Sequence, residues 1–189
     1  MSTQHKPVPG LAPASLLQSQ ALGLAERLGA ALQRQGLLMG TAESCTGGLV
    51  AGAITAVAGS SVWFERGFVT YSNEAKVADL SVSADTLDRY GAVSEATALE
   101  MANGVLLAST GMHVAVSTTG IAGPGGATPG KPVGMVCFGF AMRGAEGITS
   151  RADTQVFSGD RSQVRLGAVV YALRGLLELI GEPVNRSRA

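Results

Sequence analysis

The sequence contains very little histidine: His5 and His113 are the only two among 189 residues. A Ser–His–Asp triad uses a histidine to take the proton of the serine, and His5 lies in a proline-containing N-terminal stretch, so only His113 could serve in one. The residues around Ser44 also lack the two glycines of the Gly-x-Ser-x-Gly turn that carries many hydrolase nucleophiles. Because cysteines are equally few, the sequence offers no ligand cluster for zinc, and we expect no metal site.

The chain has no excess of charge of either sign, with 14 Lys plus Arg against 14 Asp plus Glu. A neutral chain lacks the basic field typical of nucleic-acid binding, so we expect no nucleic-acid partner. No apolar run is long enough to span a bilayer, and residues 1–13 lack the hydrophobic core of a secretory signal, so we expect no membrane association and a cytoplasmic location. Cys45 and Cys137 form no Cys-x-x-Cys pair, which favours free thiols in a reducing compartment.

The most informative segment is residues 41–48, Thr-Ala-Glu-Ser-Cys-Thr-Gly-Gly, which lies between the apolar stretches 37–40 and 49–54. This order predicts a strand, a tight turn and a helix. The first backbone N–H groups of a helix have no partner inside it and the helix dipole makes that end positive, so a hydroxyl or thiol there lies next to an anion site. An equally good interpretation of this segment alone is that Ser44 or Thr46 only caps the helix.

The hydrophobic periodicity of the chain predicts a single α/β domain with a mixed sheet. Helices are predicted over 15–35 with a stop at Gly36, over 47–57, after Asn73, after Ser83, after Ser94, and over 161–180 behind a cap at Asp160. Strands are predicted at 37–40, 62–71, 112–118, 133–142 and 147–157. The helix over 47–57 is small and apolar on all sides, so we expect it to be deeply packed. We assign 1–14 to a flexible tail, 15–181 to the domain and 182–189 to a polar tail.

A long loop rich in glycine and proline, residues 119–132, follows the predicted strand at 112–118. Loops of this length in a compact domain are usually functional or disordered. Gly130-Lys131 is followed by Pro132 where a Walker A motif has Ser or Thr, and no Gly-x-Gly-x-x-Gly motif follows a predicted strand. The loop therefore matches neither of these phosphate-binding motifs.

Lysine is rare as well: of the 14 basic residues 11 are arginine, and the three lysines are Lys6, Lys76 and Lys131. Lys76 comes soon after the predicted strand at 62–71. Unlike arginine, a lysine loses its proton when it is desolvated or set near another cation, so it can act as a base. A pair formed by Ser44 and Lys76 is thus a catalytic arrangement that this composition permits. The alternative is that Lys76 is a solvated surface residue.

Four short sequence motifs carry a family resemblance. They are Ala42-Glu43-Ser44-Cys45-Thr46-Gly47-Gly48, Tyr71-Ser72-Asn73 with Lys76, Gly91-Ala92-Val93-Ser94-Glu95, and Thr119-Gly120-Ile121-Ala122-Gly123-Pro124 with Lys131-Pro132-Val133-Gly134. In this order they resemble the C-terminal domain of the CinA proteins, a family of nicotinamide-nucleotide amidohydrolases. The resemblance covers roughly residues 15–180, and we expect the stand-alone form of the family rather than the form with an additional N-terminal domain.

The resemblance implies a three-layer α/β/α sandwich that hydrolyses the carboxamide of nicotinamide mononucleotide to nicotinate mononucleotide and ammonia, without a metal or organic cofactor. It assigns the nucleophile to Ser44, the base to Lys76 and an assisting hydroxyl to Tyr71. The residues expected to contact the substrate are Cys45, Thr46, Gly47, Thr118, Gly120, Ala122 and, as the phosphate ligand, Arg161. We also expect a homo-oligomer, such as a dimer.

This chemistry sets conditions on the turn and on the lysine. Lys76 must be neutral near pH 7, so its pKa must fall well below the ordinary lysine value of about 10.4. Free N–H groups between Cys45 and Gly47 would stabilise the oxyanion that forms on attack. Cys45 is intrinsically the better nucleophile, and a helix N-terminus lowers the pKa of a thiol, so only the resemblance selects Ser44.

Two other functions stay open. A nucleotide-binding module without catalysis, linked to competence or DNA-damage responses, would keep the glycine-rich loop but would not need Ser44 and Lys76 together. A Ser–Lys peptidase would need both residues, but a loop of nucleotide size argues against it.

Overall fold

A mixed sheet with helices packed on both of its faces forms the centre of the computed structural model, which describes residues 12–184. The strands are β1 Met39–Glu43, β2 Phe64–Val69, β3 Val114–Gly120, β4 Met135–Gly144 and β5 Gly147–Val156. Their order in the sheet is β2-β1-β3-β4-β5, in which β2, β1 and β3 are parallel and β4 and β5 are antiparallel to their neighbours. The predicted three-layer α/β/α sandwich with a mixed sheet is confirmed.

The helices begin and end at local sequence signals. They are α1 Ala14–Gln35, α2 Leu49–Thr55, α3 Asn73–Leu80, α4 Ala84–Tyr90, α5 Glu95–Leu107 and α6 Arg161–Leu179. Gly36 ends α1 in the left-handed conformation, with φ of 66°. Asp160 and Gln163 form a reciprocal capping box at the start of α6. In the described part of the chain, no helix combines the length and the apolar composition that crossing a bilayer requires.

The two faces of the sheet carry separate hydrophobic cores. One core lies under α1, α2 and α6 and includes Leu28, Trp63 and Phe138. The other lies under α3, α4 and α5 and includes Met101 and Leu106. β1 is buried along its whole length because it has a strand on each side and helices on both faces.

Two local predictions are wrong. α2 is not deeply packed, since only Val50 and Ile54 of its residues are buried. The helix packs against α1, α6 and the strands β2 and β1, but Gly52 and Thr55 stay exposed, and its small side chains gave no amphipathic pattern to reveal this. The cap of α3 is Ser72 rather than Asn73: Ser72 Oγ accepts a hydrogen bond from Ala75 N at 3.1 Å.

The end of the described chain packs against α1. Arg34 Nη2 lies 2.6 Å from Glu182 Oε1, and Arg27 Nη2 donates to the carbonyl of Pro183 at 2.8 Å. Residues 1–11 and 185–189, which belong to the two predicted tails, lie outside the described residues. The domain boundaries at 15 and 181 therefore stay predictions.

Candidate active site

The site lies at the carboxyl ends of the three parallel strands. Glu43, the last residue of β1, is in register with Val69 of β2 and with Thr118 of β3. The chain passes from β1 to β2 on one side of β1 and then crosses to β3 on its other side, and such a reversal opens a crevice at the carboxyl end of β1. Ser44 is the first residue beyond that end, and its N–H donates to the carbonyl of Thr118 at 2.9 Å.

Ser44 and Lys76 meet in this crevice. Lys76 extends from α3, and its Nζ lies 3.1 Å from Ser44 Oγ, which is hydrogen-bonding distance. Lys76 is only 1% exposed and Ser44 is 9% exposed. The interpretation of Lys76 as a solvated surface residue is therefore wrong.

The burial of Lys76 shifts its titration towards the neutral form. Burial lowers the pKa of Lys76, and the charge of Glu74 and the thiol of Cys45 offset only part of that effect. A neutral amine has two N–H donors and one lone pair. Backbone carbonyls can take the donors, because Nζ lies 2.8 Å from the oxygen of Thr70 and 3.4 Å from those of Tyr71 and Ser72. The lone pair is then free to accept the hydroxyl proton of Ser44.

The N-terminus of α2 is occupied by a carboxylate, so it is not the open anion site that the sequence predicted. Glu43 is buried, and its two carboxylate oxygens accept hydrogen bonds from the N–H groups of Gly48, Val50 and Ala51 at 2.8–3.0 Å. Neither Ser44 nor Thr46 caps α2, whose N-cap residue Gly48 offers no side chain for the purpose. Sequence reasoning missed this role of Glu43, although the residue directly precedes Ser44.

We expect Glu43→Gln to lower the free energy of unfolding by about 1–3 kcal/mol, because an amide NH₂ cannot accept a hydrogen bond and leaves a buried backbone donor unpaired. For a chain of this size the loss corresponds to a fall in Tm of roughly 2–4 °C per kcal/mol. Thermal unfolding followed by circular dichroism measures it. The matched control is Glu65→Gln, at a carboxylate that pairs with Arg66 on the surface. Equal Tm values for the two variants would contradict the role of Glu43.

Arg165 of α6 also holds the turn after Ser44. Arg165 Nε donates to the carbonyl of Cys45 at 3.1 Å, and its Nη2 donates to the carbonyl of Thr46 at 2.8 Å. The N–H of Gly47 donates to the carbonyl of Ser44 at 3.0 Å. Among residues 12–184, no other residue accepts a hydrogen bond from the N–H of Cys45 or of Thr46. Sequence reasoning missed Arg165; the available signal was its position one helical turn after Arg161.

Cys45 is a poor candidate for the nucleophile. Its side chain is buried, and burial is the main reason why the pKa of the thiol rises to about 12. The expectation that the helix N-terminus lowers this pKa is wrong, because Glu43 occupies that end of α2 and adds a further upward contribution. The physical argument therefore favours Ser44, which the sequence alone could not select.

Four of the predicted substrate-binding residues have evident structural roles. Thr46 Oγ1 and Thr118 Oγ1 share a buried hydrogen bond of 2.7 Å that joins the turn to β3. Gly120 is needed for packing, since a Cβ there would lie 2.6 Å from the carbonyl oxygen of Met135. Ala122 is buried in the core beneath α6.

The hydroxyl of Tyr71 is bound to the predicted phosphate ligand rather than to the serine–lysine pair. Arg161 Nη2 donates to Tyr71 Oη at 3.1 Å, and Arg161 Nη1 donates to the carbonyl of Gly123 at 2.8 Å. Tyr71 is 59% exposed, and only its backbone carbonyl contacts Lys76. The structure thus brings Tyr71, Arg161 and the glycine-rich loop together at the mouth of the crevice.

The long loop is hydrogen-bonded to the motif Gly91–Glu95 and to Tyr90 directly before it. Lys131 Nζ donates to the carbonyl of Tyr90 at 2.5 Å, and Thr119 Oγ1 donates to the carbonyl of Ala92 at 2.7 Å. These bonds bring together two motifs that lie far apart in the sequence. His113 lies at the amino end of β3, opposite to Ser44, and its Nδ1 accepts from Leu38 N at 3.0 Å, so it forms no triad with Ser44.

Fold and site together define an α/β/α domain with a buried serine–lysine pair at the carboxyl ends of its parallel strands. The family model described as the CinA C-terminal domain matches residues 21–180. The chain belongs to this family, as its four sequence motifs predicted.

Relatives and solved structures agree with this membership. A nicotinamide-nucleotide amidohydrolase PncC from Escherichia coli strain K12 is 53% identical over 161 residues, which cover 85% of this chain and 95% of that protein. A protein of the same name from Enterobacter agglomerans is 56% identical over 154 residues, 82% of this chain and 92% of that one. The crystal structure of a competence/damage inducible protein from Agrobacterium tumefaciens is similar with a TM-score of 0.78 and 45% identity, over 85% of this chain and 95% of that one.

Proposed function

We propose that this protein is an amidohydrolase that converts nicotinamide mononucleotide to nicotinate mononucleotide and ammonia by a Ser–Lys mechanism. The observation that carries the proposal is the buried contact of 3.1 Å between Ser44 Oγ and Lys76 Nζ. Relatives named nicotinamide-nucleotide amidohydrolase support the substrate class.

In the first half-reaction, neutral Lys76 takes the proton of Ser44 as Oγ attacks the carboxamide carbon. The resulting tetrahedral oxyanion collapses, the carbon–nitrogen bond breaks, and the ammonium of Lys76 returns the proton to the departing nitrogen, which leaves as ammonia. A nicotinyl ester of Ser44 remains. In the second half-reaction, a water molecule gives its proton to Lys76 and attacks this ester, which releases nicotinate mononucleotide and restores the hydroxyl of Ser44.

The oxyanion needs donors that are already in place when the charge forms. The N–H groups of Cys45 and Thr46 meet this need, since they come directly after Ser44 and no other described residue accepts a hydrogen bond from them. Gly47 does not contribute, because its N–H is bound to the carbonyl of Ser44. Two donors are thus available for the oxyanion, one fewer than the sequence allowed.

Arg161 binds the phosphate of the nucleotide. A guanidinium has five N–H donors, and the bonds to Tyr71 and Gly123 use only part of them. Since the chain has no net charge, an anionic substrate must be bound by local groups such as this one. Tyr71 orients Arg161 in this account, in place of the assisting role in catalysis that the resemblance assigned to it.

We expect Arg161→Ala to weaken binding of nicotinamide mononucleotide by about 10–100-fold, since a hydrogen bond to a charged group contributes about 1.5–3 kcal/mol. Affinity for nicotinamide riboside, which lacks the phosphate, should change much less. Isothermal titration of the two ligands measures the difference, with Arg174→Ala on the same helix as the control variant. Equal losses for both ligands would refute the phosphate role.

Ammonia release from nicotinamide mononucleotide tests the proposed function. An amidohydrolase releases ammonia and nicotinate mononucleotide in equal amounts over many turnovers. The alternative of a nucleotide-binding module predicts saturable binding without product. The alternative of a Ser–Lys peptidase predicts cleavage of a casein substrate and no action on the nucleotide.

The assembly and location of the protein belong to the same proposal. A homo-oligomer agrees with the open edge of β2, beside which Val69 and Tyr71 are more than half exposed. A cytoplasmic location agrees with the free thiols of Cys45 and Cys137.

A further inference from the structure

We propose that Arg165 is a positioning residue for the oxyanion donors of the turn: it fixes the N–H of Thr46 directly, through the carbonyl of Cys45, and that of Cys45 indirectly, through the peptide between Thr46 and Gly47. The inference rests on the proposed function, because it assigns a task to the N–H groups of Cys45 and Thr46 in that reaction. Its basis is the double contact from one guanidinium to the carbonyls of two consecutive residues, at 3.1 Å and 2.8 Å.

The geometry of the peptide bond turns this contact into control over a donor. The C=O and N–H of a trans peptide point in opposite directions. When Arg165 holds the carbonyl of Cys45, the N–H in the same peptide, that of Thr46, must point away from α6. The carbonyl of Ser44 is held in the same way by Gly47 N at 3.0 Å, which directs the N–H of Cys45. Without these holds, either peptide could rotate and present a carbonyl to the oxyanion.

The charge of Arg165 reinforces the effect. Among the described residues it forms no ion pair, so no carboxylate neutralises it. A cation bound to a carbonyl polarises the peptide and strengthens the N–H of the same peptide as a donor, because hydrogen bonds in a chain support one another. The chain here runs from the guanidinium through the peptide between Cys45 and Thr46 to the oxyanion.

Gly47 provides a second, independent observation. A Cβ at Gly47 would lie 3.2 Å from Arg165 Nη2, and the φ of Gly47 is +60°, which favours glycine. The motif therefore carries glycine at the place where the guanidinium approaches the turn. Lysine could not replace Arg165, because an ammonium cannot match two neighbouring carbonyls as the planar fork does.

The test compares Arg165→Gln and Arg165→Lys with the control Arg174→Gln, which removes the same charge further along α6. We expect Arg165→Gln to lower kcat for nicotinamide mononucleotide by about 10–100-fold, since losing one oxyanion donor outright costs about 10²–10³-fold. KM and the affinity for nicotinate mononucleotide should stay within about threefold, because the donors act mainly in the transition state. The pH at which activity falls on the acid side should not move, because Lys76 is unaltered. Arg165→Lys should recover only part of the loss.

Other results overturn the inference. Wild-type kcat in Arg165→Gln would show that the donors need no hold, and full recovery in Arg165→Lys would show that charge alone matters. A large fall in Tm with kcat and KM changed together, in both variants, would make Arg165 a merely structural residue. If the wild-type protein releases no ammonia from the nucleotide, the proposed function fails and the inference fails with it. Normal wild-type turnover with unaffected Arg165 variants refutes the inference alone.

Discussion

Ser44→Ala should lower turnover of nicotinamide mononucleotide by about 10⁴-fold or more, with the fold and the nucleotide affinity retained. The size of the effect follows from the loss of the only atom able to form the ester, as nucleophile removal in other hydrolases shows. The protein should stay folded because Ser44 is held by its backbone N–H, which the substitution leaves in place. The measurement is ammonia release at saturating substrate, together with the affinity for the nucleotide by titration and Tm by thermal unfolding.

Cys45→Ala gives the matched comparison for that variant. It should cost no more than about tenfold, because the thiol is buried with a pKa raised to about 12 and holds a negligible fraction of thiolate at neutral pH. The backbone N–H of residue 45 is kept in this variant. A Ser44→Ala protein with full activity, or a Cys45→Ala protein with none, would move the nucleophile to Cys45.

Lys76→Arg should abolish turnover nearly as completely as Lys76→Ala, by about 10³-fold or more. Arginine keeps the positive charge but does not give up its proton, so it cannot accept one from Ser44. Nucleotide affinity should change far less than turnover, because the proton transfer matters only on the way to the transition state. Steady-state turnover and equilibrium titration of both variants measure the two quantities.

Comparing Lys76→Arg with Lys76→Ala distinguishes a proton-accepting role of Lys76 from a purely electrostatic one. If Lys76 only supplied charge near the serine, arginine would restore a large part of the rate that alanine loses. Near-normal turnover of Lys76→Arg would therefore exclude the Ser–Lys mechanism. Because Lys76 is buried, Tm must be recorded for each variant, and Lys76→Met serves as the folded reference of similar length without charge.

The fold could be predicted largely because its signals are local. The apolar spacing of α1, the glycine at position 36 and the cap at Asp160 each act within a few residues, so the sequence alone shows them. The strands at 133–142 and 147–157, which correspond to β4 and β5, were predicted for the same reason. The packing of α2 was predicted wrongly, because a helix of mostly small and apolar residues has no polar face that marks the side exposed to solvent.

The site was predictable only in its residue types. The scarcity of lysine pointed to Lys76 and only the family resemblance selected Ser44, but their contact arises because β2 lies beside β1 and brings the start of α3 to the end of β1. Such a contact depends on strand order, which short-range patterns do not encode. Glu43 and Arg165 were missed for a related reason. Both act through backbone groups of the turn, and a backbone acceptor or donor leaves no mark in a sequence.

The pH dependence of the wild-type rate tests the central claim, that neutral Lys76 takes the proton of Ser44, most directly. Burial lowers the pKa of Lys76 from the ordinary value of 10.5, so the active neutral form persists to lower pH than it does in an exposed lysine and is lost as the pH falls through the shifted pKa. The account predicts that kcat/KM for nicotinamide mononucleotide is level above that pKa and falls by about tenfold per pH unit below it. A rate that stays level, or rises, as the solution is made acidic while the protein remains folded would contradict the account.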